Sequence, residues 1–326
     1  MLQAILDGEL VRAPLLFGVS LQQLLNLLGY LVFLLISSLG GSGALGKSIG
    51  AVSNSLPTAI TPAGWAFSIW SAIFILTGTL SLVQAAPSRR EWAWGKLGYW
   101  WMANTLLGEG LWAFAWVGQW GGMWVSAALL AFIVATLAGL YLRADMGVAP
   151  LQGGLEPLLC CPIPAPLCCA RALTKAPSAQ RTWMDAAVLE PAISLYMGWT
   201  TAATILNVTI ALVAGGANAG AFGWGVLLLL TAAGLAVAAA VLRTDYVYSA
   251  ALCWALVGIH SQQGNAAWPV RSAAVQSAAG IGAGVAGAAA LCAWAWRMWL
   301  WRSGKLRMEG EERHRGAEPT LLSEVA

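Results

Sequence analysis

Long apolar runs, broken by short polar segments, make up most of this chain, and the breaks come at intervals that suit a helix crossing a bilayer. Such a helix needs about 20 largely apolar residues. Read with that ruler, the sequence predicts eight spans: 15–39, 62–83, 99–117, 123–142, 187–213, 221–242, a short 245–261, and 273–296. Gly118-Gln119-Trp120-Gly121-Gly122 reads as the turn between the third and fourth spans, and Gly215-Gly216-Ala217-Asn218 as the turn between the fifth and sixth. The alternating dyads of a membrane barrel are absent. Helices satisfy their own backbone groups in lipid, so the expected fold is an all-α integral membrane protein.

Composition agrees with the pattern. The 326 residues are 59% hydrophobic and only 10% charged, against about 25% charged in soluble domains. The net charge of +3 is too small to point to nucleic acid. The distribution of charge says more. With eight spans, both tails and the loops after spans two, four and six share one side. All of the 17 Lys and Arg residues except Lys47 and Arg271 fall there. The positive-inside rule then places both termini in the cytosol or its topological equivalent. Trp92, Trp94, Trp100 and Trp101, with Trp294, Trp296, Trp299 and Trp301, crowd the same side as an aromatic belt would. Residues 1–14 lack the basic start of a signal peptide, so the first span is expected to be retained. The longest loops are 40–61 and 144–186, and the charged tail after Trp301 is expected to be disordered.

Several residues could carry chemistry. In Thr61-Pro62-Ala63-Gly64-Trp65-Ala66-Phe67-Ser68-Ile69-Trp70, Thr61 can cap the second helix and Pro62 suits its first turn. Phe67, Trp70 and Phe74 share one helical face below Trp65. That face either packs against other helices or receives a flat apolar ligand. Trp199, Ala203 and Asn207 are spaced by four in the fifth span. Asn207 lies deep in an apolar run and needs a partner, either another helix or a ligand. Glu109 is the one carboxylate well inside a span, and an intramembrane ionisable group points to function or to a structural pair. Glu190 and Asp245 are expected at the interfaces. Trp112, Trp116, Trp120 and Trp124 recur every four residues, but the glycines after Val117 divide them. Trp112 and Trp116 could face a pocket, and Trp120 and Trp124 the interface.

Other features are less specific. Gly280, Gly284 and Gly287 favour close helix contact, within the chain or between protomers. Leu137 to Arg143 fits the loose cholesterol pattern. Cys160, Cys161, Cys168 and Cys169 lie in one loop with no nearby His, which is poor zinc spacing. They form either a reduced insertion or palmitoylation sites. His260 and His314 are isolated. No nucleotide loop, metal cluster or catalytic triad is visible, so the chain is not expected to be an enzyme.

The second and fifth spans carry a resemblance. Pro62, Trp65, Phe67, Trp70, Phe74 and Gly78, with Trp199, Ala203, Leu206 and Asn207, resemble the TspO/MBR family, the tryptophan-rich sensory proteins related to the translocator protein or peripheral benzodiazepine receptor. The resemblance implies a five-helix core over 15–213, with the loop 144–186 as an insertion. It leaves a tail at 1–14, three additional transmembrane helices over 214–301 and a tail at 302–326. It implies a pocket under the loop 40–61, lined by Trp65, Phe67, Trp70, Phe74, Glu109, Trp112, Trp116, Trp199, Ala203 and Asn207. In this family such a pocket takes porphyrins, cholesterol or drug-like molecules. The implied function is a receptor or carrier for a tetrapyrrole or sterol-like ligand, with membrane lipid and a second copy of the chain as partners and no resident cofactor. Glu109 stands where the family often has Asn. That departure keeps open a small-solute or proton-coupled transporter using Glu109.

Overall fold

The structure is a computed structural model describing residues 9–147, 180–217, 222–303 and 307–308. The four loop cysteines and most of the charged tail lie outside the described residues, as does Asn218 of the second turn. Helix α1 is Leu21–Ser42. A short α2, Ile49–Ser55, sits in the first long loop. Helix α3, Gly64–Gln84, starts with a 3-10 turn, and α4 is Arg90–Leu97. Helix α5 runs through Trp100–Met102, a π-helical Ala103–Glu109 and Gly110–Gly118. Then follow α6, Met123–Arg143; α7, Asp185–Ala214; α8, Phe222–Arg243; α9, Tyr246–Gly264; and α10, Ala273–Arg302. Gln180–Arg181 pairs in parallel with Arg307–Met308.

Among the described residues, α1, α3, α6, α7, α8 and α10 are long and apolar enough to cross a membrane. Two further expected spans, α5 and α9, are also helical. Helix α5 is divided by its π segment. Helix α9 closes on the polar run His260-Ser261-Gln262-Gln263. Most bounds agree closely; α10 runs to Arg302, past the expected end at 296, and two other differences are instructive. Helix α1 starts at Leu21, because Ser20 caps it in a reciprocal box with Gln23. Just inside it, the buried amides of Gln22, Gln23 and Asn26 are committed to other elements. Gln22 donates to the carbonyls of Ala93 (3.3 Å) and Gly98 (3.1 Å), Gln23 to those of Gln84 (2.6 Å) and Ala86 (2.8 Å), and Asn26 to the Gln84 side chain (3.2 Å). The second difference is at Thr61. It accepts from the Thr58 backbone N–H (3.0 Å) and so closes a turn, while Ala63 opens α3 with no side-chain cap.

Helix α7 is the junction. It packs on α3 and α6 on one side and on α9 on the other, and α9 and α8 pack on α10. Close approach is bought with glycine. A Cβ on Gly198 of α7 would lie 2.7 Å from Ala251 Cβ and 2.9 Å from the Tyr248 carbonyl oxygen of α9. Replacing Gly198 with Val is therefore expected to cost about 1–3 kcal/mol through overpacking, read as an earlier midpoint in equilibrium unfolding. Gly280 and Gly287 of α10 meet His260 and Cys253 of α9, so two of the three small-residue positions serve contacts inside the chain, while Gly284 has open space.

One end of this junction holds a buried polar cluster. Arg297 of α10 pairs with Glu190 of α7. Asp245 accepts from Ser194 Oγ (2.7 Å) and from the Tyr248 backbone N–H (2.9 Å). Arg243 donates to Asp145 (3.4 Å) and to the Met146 carbonyl (3.3 Å). Glu190 and Asp245 lie at or near helix starts, where the sequence expects them. They are buried and tie α7 to α9 and α10.

Candidate functional site

The aromatic face of α3 divides between two neighbourhoods. Near its start, Phe67 meets Trp199 of α7 edge-on, with ring centroids 5.6 Å apart. Both line a small apolar cavity with Ala203, closed by Leu206 of α7, Leu229 and Ala232 of α8, and Leu256 and Ile259 of α9. Ile60 and Pro62 complete the wall. The cavity holds about 40 Å³, well under the roughly 300–1,000 Å³ of a typical ligand site. One turn further on, Trp70 and Phe74 turn instead to Phe33 of α1 and Tyr196 of α7. Phe33 lies 5.3 Å from Phe74, 6.3 Å from Trp70 and 5.7 Å from Tyr196, the last as a stacked pair.

Glu109 belongs to this second neighbourhood. It ends the π segment of α5 and is fully buried. Tyr196 Oη donates to its Oε1 at 2.7 Å, and its Oε2 has no hydrogen-bond partner among the described residues. π-Helical turns inside α-helices recur at functional sites. Here the extra residue is also fixed structurally, because Asn104 within it donates to the Ile133 carbonyl (3.2 Å) and to Thr136 Oγ1 (2.9 Å) of α6.

Trp112, Trp116 and Asn207 form a third group. Trp112 Nε1 donates to Ser126 Oγ (3.0 Å), Ser126 Oγ to Asn207 Oδ1 (2.6 Å), and Asn207 Nδ2 to the Ala203 carbonyl (3.1 Å). This relay joins α5, α6 and α7, and it occupies both ends of the Asn207 amide. Trp116 stacks on Trp112 and donates to the Ile49 carbonyl (3.2 Å), which docks α2 of the first loop on α5. Trp65 is half exposed and packs edge-on against Trp254 of α9 at 5.0 Å. Trp120 and Trp124 are exposed, as a split set would have them. Of the ten expected pocket residues, Phe67, Trp199 and Ala203 therefore line one cavity, and the others lie around it in separate contacts.

A second cleft of about 370 Å³ opens among α6, α7, α8 and α9, lined by Ala138, Tyr141, Leu142, Met197, Leu235 and Tyr248, with Arg243 and Asp245 at its end. Three residues of the cholesterol-like pattern thus line a cleft. Its Leu137 is buried in the core, and its Arg143 lies over the Trp94 ring at 5.4 Å. Sequence reasoning missed the walls supplied by α8 and α9, since their positions relative to α7 leave no mark on periodicity. It also missed Tyr196, although a buried carboxylate at Glu109 calls for a donor, and Tyr196 lies three residues before Trp199 in the fifth span.

Comparison with known families matches residues 23–292 to the family described as TSPO-like protein. The match runs beyond the fifth helix and into α10. No curated protein and no solved structure matches the chain.

Proposed function

This chain belongs to the TSPO-like protein family, and from that premise we propose that it is a membrane receptor or carrier, not an enzyme, for an apolar ring-bearing ligand of the tetrapyrrole or sterol class. What supports this is the edge-on pair of Phe67 and Trp199 in the wall of an apolar cavity whose lining spans α3, α7, α8 and α9. An aromatic wall offers a planar ligand stacking worth about 0.5–1.5 kcal/mol per ring beyond buried area. Titration of the purified protein with protoporphyrin IX, read by tryptophan quenching, should therefore be saturable. Phe67→Leu should weaken it about threefold to tenfold. Trp112→Phe, whose ring N–H is committed to Ser126, should bind as the parent does. Met197→Trp, which fills the second cleft, should also bind normally. The opposite pattern would seat the ligand in that cleft, and no saturable quenching would end the proposal.

We further propose eight spans with both termini on the cytosolic, positively charged side, surrounding membrane lipid, and a second copy of the chain as partners. The exclusion of Lys and Arg, other than Lys47 and Arg271, from the opposite side supports the topology. Reporter fusions at 40–61 and at the two tails should place the tails together and the loop opposite. Tails on opposite sides would overturn it.

One observation favours a second reading as a transporter. A fully buried carboxyl with one oxygen held by Tyr196 and the other unpartnered among the described residues is the kind of group that proton-coupled carriers use. Proton flux in proteoliposomes that vanishes in Glu109→Gln would favour it over the receptor.

A further inference from the structure

The cavity between α3 and α7 is too small for the ligands its aromatic wall suits, so binding there requires a wall to move. Most walls are continuous helix. The exception is the segment 58–66, whose Ile60 and Pro62 line the cavity on the way into α3. Its backbone is not regular helix, so its polar groups must find partners elsewhere. They find them in α9 and the loop that follows. Gln263 Nε2 donates to the Ala59 carbonyl (2.8 Å), Trp268 Nε1 to the Thr58 carbonyl (3.3 Å) and Trp254 Nε1 to the Ala66 carbonyl (2.8 Å). The Ala63 N–H donates to the Gly258 carbonyl (2.9 Å), and Trp65 Nε1 to Ser261 Oγ (3.4 Å).

We propose that 58–66 and the C-terminal half of α9 form a latch over the ligand cavity, closed in this structure, and that the last helices regulate entry to the site by holding it shut. The latch rests on the ligand-binding reading above and adds its regulation. Gln263 is its hub. The same buried amide that holds Ala59 also donates to the Val270 carbonyl (3.0 Å) and accepts from the Ser272 N–H (2.7 Å), so the segment, α9 and the start of α10 are joined through one side chain. Gly258 sets the fit. A Cβ there would stand 2.8 Å from Ala66 Cβ and 3.1 Å from Pro62 Cβ, so the latch closes only against a residue without a side chain. Neither Gln263 nor Gly258 lines the cavity. Gln263 can therefore be changed without altering the surface a ligand would touch, and Gly258→Val acts on that surface only by displacing Pro62.

The test uses the full chain in nanodiscs, with Gln263→Leu to remove the polar hub and Gly258→Val to wedge the two parts apart. Hydrogen exchange across 58–66 reports the latch, and stopped-flow quenching by protoporphyrin IX reports entry. Opening raises the fraction of binding-competent protein, so both variants should exchange faster. They should also bind the porphyrin about fivefold faster or more, with a matching gain in affinity and an unchanged dissociation rate. Faster exchange with unchanged association and affinity would overturn the latch as a gate while leaving the ligand site standing. Exchange unchanged in both variants would show that these contacts do not hold the segment and would also overturn it. Absence of porphyrin binding by parent and variants alike would remove the ligand reading, and the gate with it.

Discussion

Arg297→Ala is expected to destabilise the protein by about 3–5 kcal/mol, the largest effect of any single charge removal at the junction of α7, α9 and α10. The reason is what remains. Arg297 and Glu190 are both buried, and the guanidinium bonds the carboxylate directly. Removing the cation leaves the buried Glu190 carboxylate without the guanidinium that bonds it. Helix α10 makes the pair possible. Its 30 residues extend for about 45 Å, well past the roughly 30 Å of hydrocarbon, so Arg297 sits near the level of the exposed Trp294, Trp296, Trp299 and Trp301. The guanidinium also lies 5.9 Å from the Tyr246 ring at the start of α9. One side chain therefore holds α10 to both α7 and α9. Equilibrium unfolding in mixed micelles should show the loss in Arg297→Ala. The double variant Arg297→Met with Glu190→Leu should recover most of it, because two apolar groups of similar volume leave neither half of that pair buried alone. A single variant within 1 kcal/mol of the parent would show the pair to be exposed to water and of little weight.

The same end of the bundle shows why some features are legible in sequence and others are not. Span positions could be read because lipid forces each one to be a long apolar run with polar ends, and α3, α6 and α8 keep close to their expected bounds. The charge pattern located Glu190 and Asp245 near helix ends. It did not reveal that they are buried, because a carboxylate near a helix end reads alike whether it faces water or the Arg297 of a helix a hundred residues later. The π segment at Ala103–Glu109 is invisible for a related reason. It inserts one residue into a turn to let Asn104 reach α6, and no local composition demands that.

The candidate site divides along similar lines. Phe67, Trp199 and Ala203 could be found because each lies on an aromatic or small-residue face at helical spacing. Asn207 was legible as a group in need of a partner, and the partner proved to be Ser126, a residue with no signal of its own in an apolar run. The walls from Leu229, Ala232, Leu256 and Ile259 come from the helices that follow the five-helix stretch. The close packing of α9 against α7 at Gly198 helps bring Leu256 and Ile259 there.

Trp199→Ala should separate the ring's part in packing from its part in binding. Trp199 is nearly fully buried and shares the cavity with Phe67. Truncating a buried Trp typically costs about 3–5 kcal/mol, through lost contacts and the void left behind. The loss should appear as a lower unfolding midpoint. The void itself is informative. It would join the existing 40 Å³ space, lined by Ala202, Leu206, Leu228 and Leu256, and an apolar void of this kind stays dry and accepts small aromatic molecules. Indole should therefore raise the midpoint of Trp199→Ala in a concentration-dependent way, by about 2.7 kcal/mol at a hundredfold excess over its dissociation constant, and should leave the parent unchanged once its effect on the micelle is subtracted. Protoporphyrin quenching by the indole-filled variant then isolates the ring. If indole restores stability and porphyrin binding together, the ring acts through the shape it gives the cavity. If it restores stability while binding stays weakened, the tethered ring of Trp199 is itself a contact for the ligand. If indole has no effect on the midpoint, the helices have collapsed into the void, and α7 is held at this level by neighbouring contacts and not by the Trp199 ring.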